Sequence, residues 1–445
     1  MSYWLGIDVG TSFIAAAICR QQPDERAHLE VVPLSSRSDL VRSVIYLAGD
    51  GELIVGEAAE RRAGADPGRV SRGFVRRVDD DVPVVVDGVR YSASQLTAAV
   101  VRWVVDHVAQ REGGPARGIT VTHPNWGDSA IQAMEDDLSA VGLPEVNFCA
   151  GPQAAAMSYA IRERIGIGAT IAVYDLGGGV FNAAVVRTSA TSKPDTAAAL
   201  ASAALVGVPE TIGLGGTDFD DAVFGHVLAA VPALSEWEPG ATARLRRGFA
   251  LCRRECLEAK ETLSVDTEVT IPVLLPQLQS EVRLTRAEFE DLIRPQITET
   301  VEALQRTLAS AGVTPADLDV VLLVGGSSRI PLVAELLTAE LGRPVVADPE
   351  PRTAVALGAA LYAMPAATAE LDRVTAALDV RPAHPGAVPD RTAGSPESNP
   401  ESQNSEPAEH EPAEHEPAEH EPAEHEPAEH EPAQYLPGQH EPPWL

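Results

Sequence analysis

The run Ala169-Thr170-Ile171-Ala172-Val173-Tyr174-Asp175-Leu176-Gly177-Gly178-Gly179 passes from small, β-branched and aromatic residues to an acid and then to three consecutive glycines. Such a composition predicts a strand ending in a turn. Glycines after the acid let backbone N–H groups approach a phosphate or ribose with no Cβ in the way. Leu322-Leu323-Val324-Gly325-Gly326-Ser327-Ser328-Arg329 repeats the pattern, and Leu5-Gly6-Ile7-Asp8-Val9-Gly10-Thr11-Ser12 opens the chain with it. A fourth glycine turn, Gly213-Leu214-Gly215-Gly216-Thr217-Asp218, lies between the two main ones. One such turn is ordinary punctuation after a strand. Four in one chain, two with Asp in the same place, are expected to converge on a single nucleotide.

These segments resemble the actin-like ATPase superfamily, and within it the seventy-kilodalton heat-shock chaperones of the DnaK type. Gly6 to Ser12 resembles that family's first phosphate loop, Val173 to Gly179 its second, and Leu323 to Val333 its adenosine loop. Thr120-Val121-Thr122-His123-Pro124, Ala154-Ala155-Ala156-Met157-Ser158-Tyr159 and Glu258-Ala259-Lys260-Glu261-Thr262-Leu263-Ser264 match as well. Sugar kinases and actin share the phosphate loops, whereas the Gly-Gly-Ser-Ser-Arg-Ile-Pro run and the Ala-Lys-x-x-Leu-Ser helix favour the chaperone branch. The resemblance covers roughly residues 1 to 365 and implies a two-lobed α/β fold with mixed sheets covered by helices and ATP in the cleft.

Composition is consistent with this reading. The chain has 445 residues, few aromatics, and an aliphatic core rich in Ala and Val is expected. No window reaches the ~18 apolar residues of a membrane span, and no basic leader precedes Tyr3, so the expectation is a cytoplasmic protein. Cys19, Cys149, Cys252 and Cys256 are scattered; Cys252 and Cys256 have helical spacing but no further ligand pair, which predicts buried or idle thiols. The net charge of −31 includes fourteen Glu and no Lys, Arg or Asp from Thr392 onward, leaving −17 on Met1 to Arg391. Neither part is basic, which argues against a nucleic-acid partner.

Helices are expected over Ser94 to Glu112, Asp128 to Val141, Ala154 to Ile165, Asp218 to Val231, Ala241 to Leu263, Arg286 to Ala311, Leu332 to Leu341 and Thr353 to Ala363. Strands are expected near Val146 and over Ile171 to Tyr174, Phe181 to Arg187, Ala204 to Val208 and Val320 to Val324, with a short one at Val345 and Val346. Strands alternating with helices mean sheets covered by helices. The expected division is a nucleotide-binding domain over 1–370, a linker over 371–394 and an acidic tail over 395–445. In the tail, Glu-Pro-Ala-Glu-His repeats five times from Glu406 to His430; regular proline blocks helix and the polarity prevents packing, so disorder is expected. The chaperones' β-sandwich substrate domain and helical lid are not expected, since no strand-like runs follow Met364.

A bound ATP or ADP requires its phosphate charge to be neutralised by Mg²⁺ and by aimed N–H groups. Asp8 and Asp175 are the candidates to hold Mg²⁺ through water, one from each lobe. Gly10, Thr11 and Ser12 are expected against the phosphates from one side, Gly177, Gly178 and Gly179 from the other, with Gly215 and Gly216 completing the contacts. Gly325, Gly326, Ser327 and Arg329 are expected to line the adenosine pocket, Arg329 stacking on the purine. The resemblance assigns Lys260 and Ser264 to ribose and purine contacts, and Arg76 to the place of the family's lysine beside the γ-phosphate. Arg keeps that charge but cannot act as a neutral base.

The departures from the family pattern fall at the hydrolytic positions. Gly151-Pro152 replaces Glu-Pro, Val180-Phe181-Asn182 replaces Thr-Phe-Asp, and Leu257 stands in place of a Glu, with Glu258 adjacent. Losing a positioned acid or base costs about 10²–10⁴ in rate. The expected function is therefore an ATP-binding, DnaK-type conformational switch with slow or absent hydrolysis, lacking the substrate-binding domain and acting on a protein partner or client. The alternatives are an active chaperone-like ATPase and a small-molecule kinase of the same superfamily.

Overall fold

Alternation within the two Asp-bearing strands sets the layers of the molecule. In Tyr3–Val9, Leu5, Ile7 and Val9 point to an outer core shared with Leu96, Val100, Val104 and Val108 of the helix Ala93–Glu112, while Trp4 points inward to a central core. In Thr170–Leu176, Ala172, Tyr174 and Leu176 face a second outer core and Ile171 and Val173 face the same central one. The computed structural model describes residues 2–21, 27–64, 66–163, 165–166, 168–188, 203–232, 243–275 and 278–364, all within a single unit, Met1–Pro382. The expected linker and repeat tail lie outside the described residues.

Each lobe is built on one mixed sheet, and the two sheets share a plan. Tyr3–Val9 pairs antiparallel with Phe13–Gln21 and parallel with Gly118–His123; Ala27–Val31 and Asn147–Ala150 extend the two sides. Thr170–Leu176 pairs antiparallel with Phe181–Arg187 and parallel with Val320–Val324, extended by Ala204–Ile212 and Val346–Ala347. Along the main path the order in both is third, second, first, fourth, fifth strand; in the first sheet the short strand Val41–Arg42 also pairs, off this path, with Phe13–Gln21. Register repeats too: Asp8 lies opposite Ala15, and Asp175 opposite Asn182. This duplicated α/β architecture is the two-lobed actin-like ATPase fold that the resemblance implies.

The helices Gly151–Arg162 and Ala354–Tyr362 fill the central layer between the sheets. Small residues make this possible: Ala15, Ala17 and Cys19 meet Ala154, Ala155, Ala156 and Ala160 there. A Cβ on Gly358 would come within 1.8 Å of the Ala154 carbonyl oxygen, and one on Gly6 within 2.1 Å of the Ala360 nitrogen. A buried ion pair between Arg162 and Asp348 ties the end of one helix to the loop after Val346–Ala347.

Most of the expected helices end within two residues of their predicted bounds. One begins early: Gly151–Arg162 starts three residues before Ala154 and ends before Ile165, because Pro152 fits the first turn, where its missing N–H leaves no bond unmade. The start expected at Ala241 lies outside the described residues, and that helix is described as Ala243–Leu263. The ribbon Glu268–Leu275/Leu278–Thr285 has no counterpart in the sequence-based expectations. Pro272 argues against a strand, yet either strand of a two-stranded ribbon has a free edge where a missing donor is tolerated. All four cysteines are buried and unbridged. No described helix is long and apolar enough to cross a membrane.

Candidate functional site

A cleft of about 420 Å³ opens where the loops after the two Asp strands meet, within the ~300–1,000 Å³ typical of small-molecule sites. Asp8, Gly10, Thr11, Ser12, Asp175, Gly177, Gly178, Gly216, Lys260, Ser264, Gly325, Gly326, Ser327 and Arg329 line it. Gly179, Gly215 and Arg76 are not among its lining residues. Residues from five separate stretches are thus brought to one cavity.

The glycines let three loops touch. A Cβ on Gly178 would lie 2.1 Å from Ser12 Oγ, and one on Gly179 would lie 2.7 Å from Thr11 Cγ2 and 2.6 Å from Arg76 Cδ. Gly215 packs on the second loop, its absent Cβ 2.5 Å from Gly179 N. Several amides are used within the scaffold. Gly10 N donates to Phe13 O (3.0 Å), Gly177 N to Val180 O (3.1 Å), and Gly216 N to Gly177 O (3.0 Å). Gly215 N donates to Asp218 Oδ2 (2.8 Å). These glycines shape the loops, while the amides of Thr11, Ser12 and Gly178, which line the cleft, have no acceptor among the described residues. An unpaired amide at such a place is left for a ligand acceptor or water.

Asp8 and Asp175 meet at the bottom of the cleft. Burial raises the Asp8 carboxyl to about 6, against which the Thr122 hydroxyl, donating to Oδ1 at 2.8 Å, favours the charged form. Asp175 is raised to about 7, first by burial and then by the charge of Asp8; Asn182 Nδ2 donates to it at 3.4 Å. Two carboxylates buried in one recess, one of them raised further by the charge of the other, match a hydrated divalent cation, whose charge would favour both ionised forms. The residues fit Mg²⁺.

On the other wall, Lys260 Nζ donates to Gly216 O at 2.8 Å and pairs with Asp220 at 2.7 Å. Ser264 Oγ bonds back to Lys260 O at 3.4 Å and Ser327 Oγ to Gly177 O at 2.9 Å. Gly325 holds φ +82°, and a Cβ there would meet the Leu176 carbonyl oxygen at 2.3 Å, so the adenosine-type loop can only pass this point as glycine. Arg329 is exposed and makes no ion pair among the described residues.

Arg76, expected beside the γ-phosphate, lies against Gly179 just outside the lining of the cleft. Its guanidinium donates to Gly213 O (2.6 Å) and Thr217 Oγ1 (3.2 Å), with Asp218 at 3.7 Å, so it fastens a lobe-one turn to the Gly213–Asp218 turn. Gly151, Val180 and Asn182 do line the cleft. Asn182 also accepts from the Thr211 hydroxyl at 3.0 Å, which fixes its amide. Glu258 pairs with Arg254 at 3.1 Å instead of lining the cleft. His123, to which the sequence assigns no role, also lines it. Burial lowers His123 to about 4, and its Nδ1 accepts from Trp126 N at 3.0 Å, so the ring is neutral with its proton on Nε2: a donor, not a base. Phe13, Arg42 and Arg352 also line the cleft, and no glycine motif marks Arg42 or Arg352.

The chain is similar to the Chaperone protein DnaK of Thermotoga petrophila and that of Thermotoga maritima, each 28% identical over 371 residues, covering 81% of this chain and 59% of the relative. The Chaperone protein DnaK of Thermosipho melanesiensis is 27% identical over 374 residues with the same coverage, 81% and 59%. The chain therefore spans about six tenths of the length of the curated relatives it matches, 59%. The family described as Hsp70 protein matches residues 69–386, a stretch that takes in the second Asp strand, both later glycine turns and the Lys260 helix. By that match, the chain belongs to the Hsp70 family.

Proposed function

We propose that residues 1–370 form an ATP- and ADP-binding domain of the DnaK type that works as a nucleotide-dependent conformational switch with slow or absent hydrolysis. In this reading 371–394 is a linker and 395–445 an acidic tail, the protein is cytoplasmic, and its output is a change in affinity for a protein partner or client. The observation that carries it is the convergence of two buried carboxylates and the unpaired Thr11, Ser12 and Gly178 amides on one cleft between duplicated lobes.

Mg²⁺ bound with ATP supplies charge neutralisation of the phosphates. Asp8 and Asp175 hold the hydrated ion, Thr122 and Asn182 orient their oxygens, and the Thr11, Ser12 and Gly178 amides donate to phosphate oxygens. Gly326, Ser327 and Arg329 with Lys260 and Ser264 take the nucleoside end. Both lobes contribute contacts, so binding favours the closed cleft, and differential affinity between closed and open states is all a switch requires.

What faces the cleft supports the reading of slow turnover. Gly151, Val180 and Asn182 carry no acid or base, His123 is a neutral donor, and the Arg76 guanidinium is engaged by Gly213 and Thr217. Single-turnover assays with labelled ATP and Mg²⁺ test this. Tight binding with scarcely any phosphate release is expected; robust release that Asp8→Asn abolishes would replace the switch with an active ATPase, and transfer to a sugar acceptor would replace it with a kinase.

A further inference from the structure

Phe13, the residue directly after Gly10-Thr11-Ser12, carries two guanidinium groups. Arg42 from the same lobe lies with its Cζ 4.6 Å from the ring centroid, and Arg352 from the loop after Val346–Ala347 lies at 5.1 Å. The three side chains are half-buried and line the cleft. Arg42 makes no ion pair among the described residues. Arg352 has only a long contact, 3.5 Å, to Glu261. Its stem and Nε lie over Gly326, where a Cβ would come within 3.2 Å of Nε.

Two cations held on one ring inside a protein of net charge −31 call for an explanation. An aromatic face attracts each guanidinium, but the two repel one another. An anion between or beside them turns that repulsion into attraction on both sides, through charge-assisted and bidentate hydrogen bonds of the kind arginine makes to phosphate. Position narrows the choice. Phe13 adjoins the loop with free amides on the phosphate side, whereas Arg352 covers Gly326 on the nucleoside side. The junction of those two sides is where the first phosphate of a nucleotide joins its ribose.

We propose that Arg42 and Arg352, positioned by Phe13, form an anion subsite for the α-phosphate of the nucleotide, closing across the cleft because they come from opposite lobes. This rests on the nucleotide-binding reading above. It makes the monophosphate itself a ligand recognised by charge, and it gives the cleft a phosphate contact that does not depend on Mg²⁺.

Titration calorimetry of adenosine, AMP, ADP and ATP against the full chain and the variants Arg42→Met, Arg352→Met and Arg352→Lys, in buffer with EDTA and again with Mg²⁺, tests it. The Met variants keep the apolar stem over Phe13, and unchanged melting curves establish that they fold. The expected result is about a tenfold weakening of AMP, ADP and ATP alike in each Met variant. Adenosine should bind unchanged, Arg352→Lys should recover part of the loss, and raised salt should shrink the difference. Equal loss for adenosine and AMP would show that the stack only shapes the pocket, and loss confined to ATP would move the anion contact to the terminal phosphate; either overturns the assignment while leaving nucleotide binding intact. A wild-type chain that binds none of the four ligands overturns the nucleotide reading, and the subsite with it.

Discussion

Asp8 and Asp175 are the penultimate residues of equivalent strands of the two lobes, and the charge of Asp8 helps to hold the Asp175 carboxyl at about 7. The pairing is asymmetric in its supports. Thr122 donates to Asp8 at 2.8 Å, while Asp175 receives a longer bond, 3.4 Å, from Asn182. The second carboxylate is thus the one more in need of a cation.

This makes stability depend on pH in a definite direction. Both groups have native values, about 6 and about 7, above the ordinary carboxylate range, so the native state holds more protons than the unfolded chain in between. Stability contributed by the protonated forms is complete at low pH and is lost as pH rises through about 6 to 7. In EDTA, the component due to these two groups should lower the melting temperature between pH 5 and 7.5. Asp175→Asn should flatten that slope, and Mg²⁺ affinity should increase over the same interval. A slope unchanged in the variant would contradict the coupling.

Contact between the phosphate-type loops depends on Gly178. Gly178→Ala would set a methyl 2.1 Å from Ser12 Oγ and force the loops apart. ATP affinity should fall by about tenfold or more, as it should for Asp175→Ala. Gly225→Ala, on an open face of the helix Gly216–Ala230, is the control and should stabilise by about 0.5–1 kcal/mol with affinity unchanged. Calorimetry and thermal melts read both.

The central layer tolerates no added atoms. Gly358→Ala should destabilise by about 3 kcal/mol or more, because the clash is with backbone on a helix packed between two sheets and neither can yield. Urea unfolding measures it; a variant as stable as the parent would contradict the packing described.

Turnover should respond to restoring the missing polar groups. A Cβ at Gly151 meets only His123 O at 3.7 Å and Val355 Cγ1 at 3.8 Å, so a side chain can be accommodated there. Gly151→Glu, Val180→Thr and Asn182→Asp together should raise single-turnover hydrolysis by about 10²-fold or more. Asn182→Asp alone adds a third carboxylate beside Asp175 and should lower stability in EDTA.

Removing residues 395–445 should leave ATP affinity unchanged, since every residue of the proposed site precedes Met364. A several-fold change on truncation would make the tail part of the switch.

Much of this molecule was legible in its sequence. The four glycine turns and their acids are local signals: strand, turn and the absence of a Cβ are written into consecutive residues, and they predicted a shared cleft that Asp8, Ser12, Gly178 and Gly326 do line. The long helices were equally readable, because amphipathic spacing acts within a few residues. Tertiary structure decided what depends on residues distant in the chain. Arg76 is fastened to Gly213 across 137 positions, so its charge serves the junction of two turns. His123 becomes a neutral donor because burial and the Trp126 amide fix its proton, and no sequence pattern carries that information. Arg42 and Arg352 meet on Phe13 from opposite lobes. Local sequence sets backbone conformation, but which charges share a cleft is fixed when two sheets close around the small residues of one central layer.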